Sequence, residues 1–398
     1  MSSAVKDIVI VAAKRTAIGT FGGKFVKTSA CDLQTISNKA ALASANIKPE
    51  LIDTVNIGCV IPGSSPDGGF LARHSQLKSG IPQDRPALQI NRLCGSGFQS
   101  IVNGVLDIST GAAKISLTGG AENMSQVPFT IRNMRFGTQL GINYQLEDSL
   151  WVGLTDSYCK LPMALTAEKL GAQCKVTREE ADEFSLRSQQ RWKAAQDGGR
   201  FKEEIVGVPV KGKKGPETLE VDEHPRPQTT LEGLKKLKSL FKENGLVTAG
   251  SASGICDGAG TVIIASDAAA AQNNLKPLAR ILAYSTVGVD PSIMGIGPVP
   301  AIQNVLKVSG LSLNDIDLIE INEAFAAQTL ACAKELKLDM ERLNVDGGAI
   351  ALGHPLAASG SRITAHLVHE LRRRKAKYGI GAACIGGGQG IALLIEAL

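Results

Sequence analysis

Aromatic side chains are scarce in this chain, at 4% of 398 residues. Long apolar runs are missing as well, and none approaches the roughly 18–20 residues of a membrane span. The eight cysteines never stand at CxxC spacing, which removes the common zinc signatures. A disulfide framework is not expected in so long a chain without a secretory signal. No GxGxxG follows the first strand, and Ser100 stands where Gly95-Ser96-Gly97 would need its third glycine. A dinucleotide fingerprint is therefore lacking. The excess of positive charge is small, at +5, too little to imply nucleic acid. Few residues precede the first strand, so no long cleavable presequence is expected, and the last three residues are not a Ser-Lys-Leu address.

Glycine is plentiful: 43 residues, about 11% against a typical level of roughly 7%. The glycines cluster and have no three-residue period, which excludes collagen. Hydrophobic residues at 43% and charged residues at 20% are enough to bury a core, so disorder is not expected. The length suits two or three domains or one large composite one. Strand and helix patterns alternate, as in an α/β layered fold. Strands are expected at 7–13, 54–60 and 114–118, the last ended by Gly119-Gly120. Helices are expected at 32–45, capped by Asp32, and at 97–109 and 361–373.

Three segments recur, two of them at nearly one offset. Residues 45–53 resemble 309–317, residues 91–95 have a mate in 351–355, and residues 257–265 resemble 388–396. One fold used twice is the reading. The stretch 123–250 differs from both halves. It has its own apolar periodicity, Trp151, Trp192, a charged helix near 177–196, a lysine-rich loop (Lys211, Lys213, Lys214) and a helical pattern at 231–241. It is expected to be an insertion rather than a linker.

Four constellations carry reactive chemistry. Cys94 lies between a short strand and an amphipathic helix, flanked by Gly95 and Gly97. A sulfur at a helix N-terminus is expected to have a lowered thiol pKa. His354 stands in the glycine-bounded loop 347–355 and is the best candidate for a general base or oxyanion donor. Cys384 precedes Gly386-Gly387-Gly388, backbone able to present bare N–H groups to an anion. Asn322 follows the strand 318–321, where it either caps the next helix or holds a water or substrate oxygen, beside Glu323. By contrast, His366 and His369 beside Arg372, Arg373 and Arg374 are expected to form a solvated basic face. His74 is expected to be structural and His224 to lie in a loop. Two thiols, one histidine and one asparagine at strand ends point to acyl transfer through a thioester.

These segments resemble the thiolase family, most closely its animal mitochondrial 3-ketoacyl-CoA branch. The matching residues are 91–97, 222–230, 247–254, 291–298, 322–328, 353–355 and 384–386, within a resemblance that covers 5–398. It implies two similar βαβαβαββ halves in a five-layer αβαβα arrangement, with an inserted loop domain that binds coenzyme A. The expected boundaries are 1–122 with 251–272, then 123–250, then 273–398. By the same resemblance Cys94 is acylated and Cys384 is the acid/base. His354, with a water on Asn322, forms one oxyanion hole, and the N–H groups of Cys94 and Gly386 form the other. Arg226, Thr229 and Ser253 would contact coenzyme A, with Ala249 nearby, and Met163, Met294 and Phe325 would line the channel.

The resemblance further implies no permanently bound cofactor, coenzyme A and acyl-CoA as substrates, and a homo-oligomer, a dimer or dimer of dimers. The mitochondrial matrix is the implied compartment, with the cytoplasm as alternative. An acetoacetyl-CoA thiolase is the nearest rival reading, and acyl-CoA hydrolysis is an expected side activity. A β-ketoacyl synthase is disfavoured by Cys384, and a non-catalytic acyl-CoA carrier or RNA-binding protein by the intact constellation. The chain departs from the family pattern at Ala357 and Ala358, where glycine is frequent, and at Ser251, where Asn is common. The two added methyl groups are expected to bear on chain-length preference rather than on activity.

Overall fold

A computed structural model describes residues 2–212 and 215–398; Lys213 and Lys214 of the lysine-rich loop lie outside the described residues. The first half builds a sheet whose strands run, from edge to centre, Ala87–Ile90, Thr54–Gly58, Ile115–Asn123, Cys256–Ser266 and Ile8–Thr16. The first three are mutually parallel, and the next two pairings are antiparallel. The second half repeats the scheme with Leu318–Ile321, Tyr378–Ile385, Gln389–Ala397 and Ala279–Gly288. Again a parallel pair is followed by two antiparallel ones. The counterpart of the Ala87–Ile90 edge is reduced to a parallel bridge between Ile319 and Leu343. The sheets meet where Ala279 and Arg280 pair with Ile10 and Val9.

The recurrent sequence segments occupy equivalent places in this scheme. Residues 49–51 and 313–315 each form a short 3-10 turn before a strand. Residues 91–95 and 351–355 each precede a helix of the middle layer, Ser96–Ser109 and Ser359–Arg374. These two helices lie between the sheets in a shared apolar core. Ala30–Ser44 covers the first sheet from outside, and Pro298–Ser309 and Ala326–Leu336 cover the second. The order is therefore helix, sheet, helix, sheet, helix.

The middle helices touch through glycine. A Cβ on Gly360 would come within 2.2 Å of the Phe98 nitrogen, and one on Gly97 within 2.6 Å of the Ala357 oxygen. No side chain fits there, so this contact sets how closely the halves dock. Close approach also explains why Gly119-Gly120 does not end its strand, which continues to Asn123. A Cβ on Gly120 would meet the Ala357 oxygen at 2.0 Å. Gly120 makes room for the 355–358 turn, and Gly119 for Gly260 of the neighbouring strand and Gln34, instead of breaking the sheet.

Several local expectations are corrected. Ser29, not Asp32, caps the Ala30–Ser44 helix, and its side chain accepts from the Asp32 N–H. Asn322 does not cap a helix: its N–H donates to Ala382 O, and the helix begins at Ala326 with Phe325 at its cap. The helix expected over 231–241 is confined to Leu231–Lys235. His366 is no part of a solvated face. It is buried, with Nδ1 2.9 Å from Glu204. His369 Nε2 lies 2.9 Å from Ala13 O. Sequence spacing put both histidines beside Arg372–Arg374, but residues of the 123–250 stretch and the first strand cover that flank. The arginines alone form the wet helix end, with Arg373 and Arg374 paired to Glu370.

The 123–250 stretch is packed on the core. Its Arg178–Asp197 helix carries a Thr177/Glu180 capping box, and Ile205-Val206 adds beside Arg15-Thr16 in the first sheet. Trp192 is buried among Ile18, Leu150 and Leu352.

Candidate active site

Cys94 sits one residue before the cap of Ser96–Ser109, at a backbone elbow. Leu93 has φ +46°, in the left-handed region, where a non-glycine residue costs roughly 1–3 kcal/mol. Hydrogen bonds hold it there. Leu93 N–H donates to the Asn91 side chain at 3.0 Å. Ser96 Oγ accepts from Arg92 N–H at 2.9 Å and donates to Leu93 O at 2.7 Å. The elbow turns the sulfur toward the other half of the molecule, where the N–H groups of Gly386 and of Cys94 itself bond it.

The helix terminus does not lower this thiol as expected. Burial outweighs those N–H groups and pushes Cys94 up to about 11, with the Glu122 carboxylate adding to the shift. Low dielectric penalises a lone thiolate more than two N–H dipoles stabilise it. Cys384, at the end of the Tyr378–Ile385 strand, is 1% exposed. Burial and the neighbouring Cys94 sulfur push it well above its usual range. Both thiols are therefore protonated at neutral pH.

His354 follows Gly353, whose φ of +96° is open to glycine. Its ring is buried and its pKa falls to about 3, from burial and then the Arg362 charge. It is a neutral imidazole. Nδ1 lies 2.6 Å from Ser359 Oγ, and the Asn322 amide nitrogen sits 3.4 and 3.3 Å from the two ring nitrogens. With the proton on Nδ1, Nε2 carries the lone pair that can accept a proton. Asn322 Oδ1 is buried and accepts no hydrogen bond among the described residues.

A cavity of ≈ 240 Å³ brings together Cys94, His354, Cys384, Met163, Met294 and Phe325. Trp151 and Phe241, stacked with ring centroids 6.1 Å apart, form one of its walls. A second cavity of ≈ 490 Å³ is lined by Arg226, Thr229 and Ala249. The two share Leu240, Ala252, Ser253 and Gly254, so they form one route from an exposed basic mouth to the two thiols. The sequence candidates thus line this route, apart from Asn322 and Gly386, which adjoin His354 and Cys94.

Two participants went unnoticed in the sequence. Ser359 had a weak signal, a hydroxyl five residues beyond His354 on the first turn of a helix. Glu122 had none. It is fully buried, accepts from the N–H groups of Val60, Ile61 and Ala357, and is pushed up to about 7 by burial. It ties the Pro355–Ala358 turn to the first half. Glu323 is absorbed structurally, accepting from Ser188, Asn344 and the Ile350 N–H. Ala357 and Ala358 are buried in the turn behind His354 and line neither cavity. Ser251 closes the 246–251 loop, accepting from Thr248 N–H and donating to Leu246 O. No group of residues with metal-binding character occurs among the described residues.

Family models for the thiolase N-terminal and C-terminal domains match residues 8–268 and 275–397. The chain is 58% identical over 392 residues to the human 3-ketoacyl-CoA thiolase, mitochondrial, covering 98% of each. It is 44% identical to an acetyl-CoA acetyltransferase of Syntrophomonas wolfei, covering 99% of this chain and all of that one. A crystal structure of human mitochondrial 3-ketoacyl-CoA thiolase in complex with CoA superposes with TM-score 0.97 at 57% identity, covering 100% of this chain and 99% of that one.

Proposed function

This chain belongs to the thiolase family, and from that membership and its site we propose a specific course of reaction for it. It is a 3-ketoacyl-CoA thiolase, an acyltransferase that cleaves 3-ketoacyl-CoA with coenzyme A to acetyl-CoA and a shortened acyl-CoA in fatty acid β-oxidation. The observation that carries the reading is the continuous route from Arg226 to two thiols and a neutral histidine.

Coenzyme A enters along the route, with the Arg226 cation and the Thr229 hydroxyl at its phosphate end and Ala249 and Ser253 along its side. Pantetheine and the acyl chain lie against Met163, Met294 and Phe325. Cys94 Sγ attacks the 3-keto carbon as its proton passes to His354 Nε2. With the thiol raised and the imidazole lowered, this transfer belongs to the attack step rather than to a standing ion pair. The oxygen becomes an anion, which donors in one of the two holes stabilise. The Cα–Cβ bond then breaks, leaving an acyl thioester on Cys94 and the enolate of acetyl-CoA. Cys384 Sγ–H protonates the enolate carbon. Coenzyme A thiol next attacks the acyl group, its proton restores the Cys384 thiol, and the departing Cys94 sulfur takes its own proton back from His354. A second thiol is needed because the first is occupied by the acyl group when the proton must move.

The N–H groups of Cys94 and Gly386 serve one oxyanion, and they already bond the resting sulfur. His354 with a water on Asn322 serves the other, which suits the unpartnered Asn322 Oδ1. The division into 1–122 with 251–272, 123–250 and 273–398, a dimer or dimer of dimers, and a matrix location are part of the same proposal; mitochondrial relatives support the last.

The test is the thiolysis rate across 3-ketoacyl-CoA substrates of four to sixteen carbons, with Cys384→Ala beside the wild type. Turnover across several lengths is expected. The variant is expected to accept an acyl group on Cys94 from acetyl-CoA yet fail to cleave or form the carbon–carbon bond. Normal turnover by Cys384→Ala would remove the proton-transfer role.

A further inference from the structure

The largest fully buried side chain is Arg15, 1% exposed, and nothing in the reaction above uses it. Its guanidinium engages Asp222 with two arms, at 2.7 and 3.1 Å, and Glu204 through Nε at 2.7 Å. Glu204 also holds His366 at 2.9 Å, whose helix begins at Ser359, the partner of His354. Asp222 further accepts from Ile18 N–H at 2.9 Å. Four residues beyond Asp222 stands Arg226. The segment between is held at three of its residues: Glu223 accepts from Thr20 and Lys24 N–H, His224 Nδ1 lies 3.3 Å from Thr20 Oγ1, and Arg226 N–H donates to Gln189. His224 also packs on Gly254, where a Cβ would meet its ring at 2.0 Å.

We propose that Arg15 and Asp222 are positioning residues for coenzyme A: the buried two-armed pair pins the 222–230 segment to the first strand and so sets Arg226 and Thr229 at the mouth of the route. This inference rests on the thiolase reading. The physical reasoning is that a buried guanidinium–carboxylate pair is expensive unless its geometry is fully satisfied. Once satisfied, it gives orientation that a surface loop lacks. Arg226 itself is exposed, and its placement has to come from the backbone behind it.

The test compares wild type with Asp222→Asn and Arg15→Lys, on full coenzyme A thioesters and on a 3-ketoacyl N-acetylcysteamine thioester with N-acetylcysteamine as acceptor. The short thioester has no nucleotide or diphosphate to meet the 226–230 segment. Asp222→Asn is expected to raise KM for coenzyme A about tenfold, with kcat changed less than about twofold, as for a displaced positioning group. Arg15→Lys should act in the same direction. Neither variant should alter turnover of the short thioester or the rate of Cys94 alkylation by iodoacetamide. A purely structural role predicts the opposite split, since a smaller folded fraction lowers kcat and leaves KM alone. That split, or equal losses on both thioesters, overturns the proposal. If Asp222→Asn does not fold, Glu223→Ala, which removes the acceptor of two N–H groups at a less buried link of the same chain, should show the KM pattern, and an unchanged KM overturns it. Calorimetric binding of coenzyme A keeps the two readings apart. Absence of wild-type thiolysis would defeat the activity, whereas equal coenzyme A affinity of wild type and variants would defeat the positioning role alone.

Discussion

Removing the Ser359 hydroxyl probes the base directly. His354 is a buried, neutral imidazole whose pKa burial lowers to about 3. When it takes the Cys94 proton it becomes an imidazolium in a site that disfavours charge. The Ser359 oxygen, 2.6 Å from Nδ1, is the acceptor that can then stabilise Nδ1–H. In the resting enzyme this is an ordinary bond, worth roughly 0.5–1.5 kcal/mol; toward a cation it rises to about 1.5–3 kcal/mol. Only the difference, about 1–1.5 kcal/mol, bears on the barrier, so at about 1.4 kcal/mol per decade Ser359→Ala should lower kcat/KM about five- to twelvefold. KM for coenzyme A should stay within about twofold, because Ser359 lines neither cavity and the loss arises only in the charged state. Alanine suits the first turn of the Ser359–Arg374 helix, so the melting temperature should fall by no more than a few degrees, as for one ordinary bond. Steady-state thiolysis and a thermal melt suffice. A variant within about threefold of wild-type kcat/KM would refute the view that Ser359 supports the charged base.

With Cys94 raised to about 11, alkylation by iodoacetamide should keep accelerating as pH rises from 6 through 9, and acetyl-CoA should protect this cysteine. A rate already level near pH 6 would indicate a standing thiolate. His366 is raised to about 9, burial opposing and Glu204 prevailing. Its unfolded value lies near 6.5, so its stabilising charge is fully present below that pH and is lost as pH climbs through 9. The melting temperature should drop over that window, and His366→Gln should flatten the drop; an equal drop in the variant would clear His366 of it. Gly360→Ala places a methyl 2.2 Å from the Phe98 nitrogen, an overpacking of about 1–3 kcal/mol or more, and should lower the melting temperature by several degrees. An unchanged melt would mean that the middle helices part without cost.

Much of the site was legible because chemistry at strand ends leaves a local record. Cys94, His354 and Cys384 each lie beside glycines that the backbone needs there, at Gly353 for a positive φ and at Gly97 for the contact between helices. The repeat was legible because 3-10 turns and strand edges keep their residue types in both halves. Errors fell where a distant element decides the outcome. Gly119-Gly120 has the look of a strand stop, yet Gly119 is pressed against Gly260 and Gly120 against Ala357. His366 shares its helix with a basic end, yet Glu204 and Asp346 face it from elsewhere. Glu122 had no local signature because its partners are three N–H groups from two remote loops.

The sequence alone determined the duplicated α/β scheme and the inserted stretch and picked out the candidate reactive groups, since these follow from apolar periodicity, recurrence and side-chain chemistry. Tertiary structure decided how those groups behave. Bringing Cys94 and Cys384 into one largely apolar cavity makes both thiols weak acids and His354 a weak base, because desolvation depends on everything that closes over a group and not on its neighbours in the chain. Docking of the insertion likewise turned Arg15 and His366 from ordinary basic residues into buried partners of Asp222 and Glu204. A charge is kept in the interior only where opposite charges from other elements meet it.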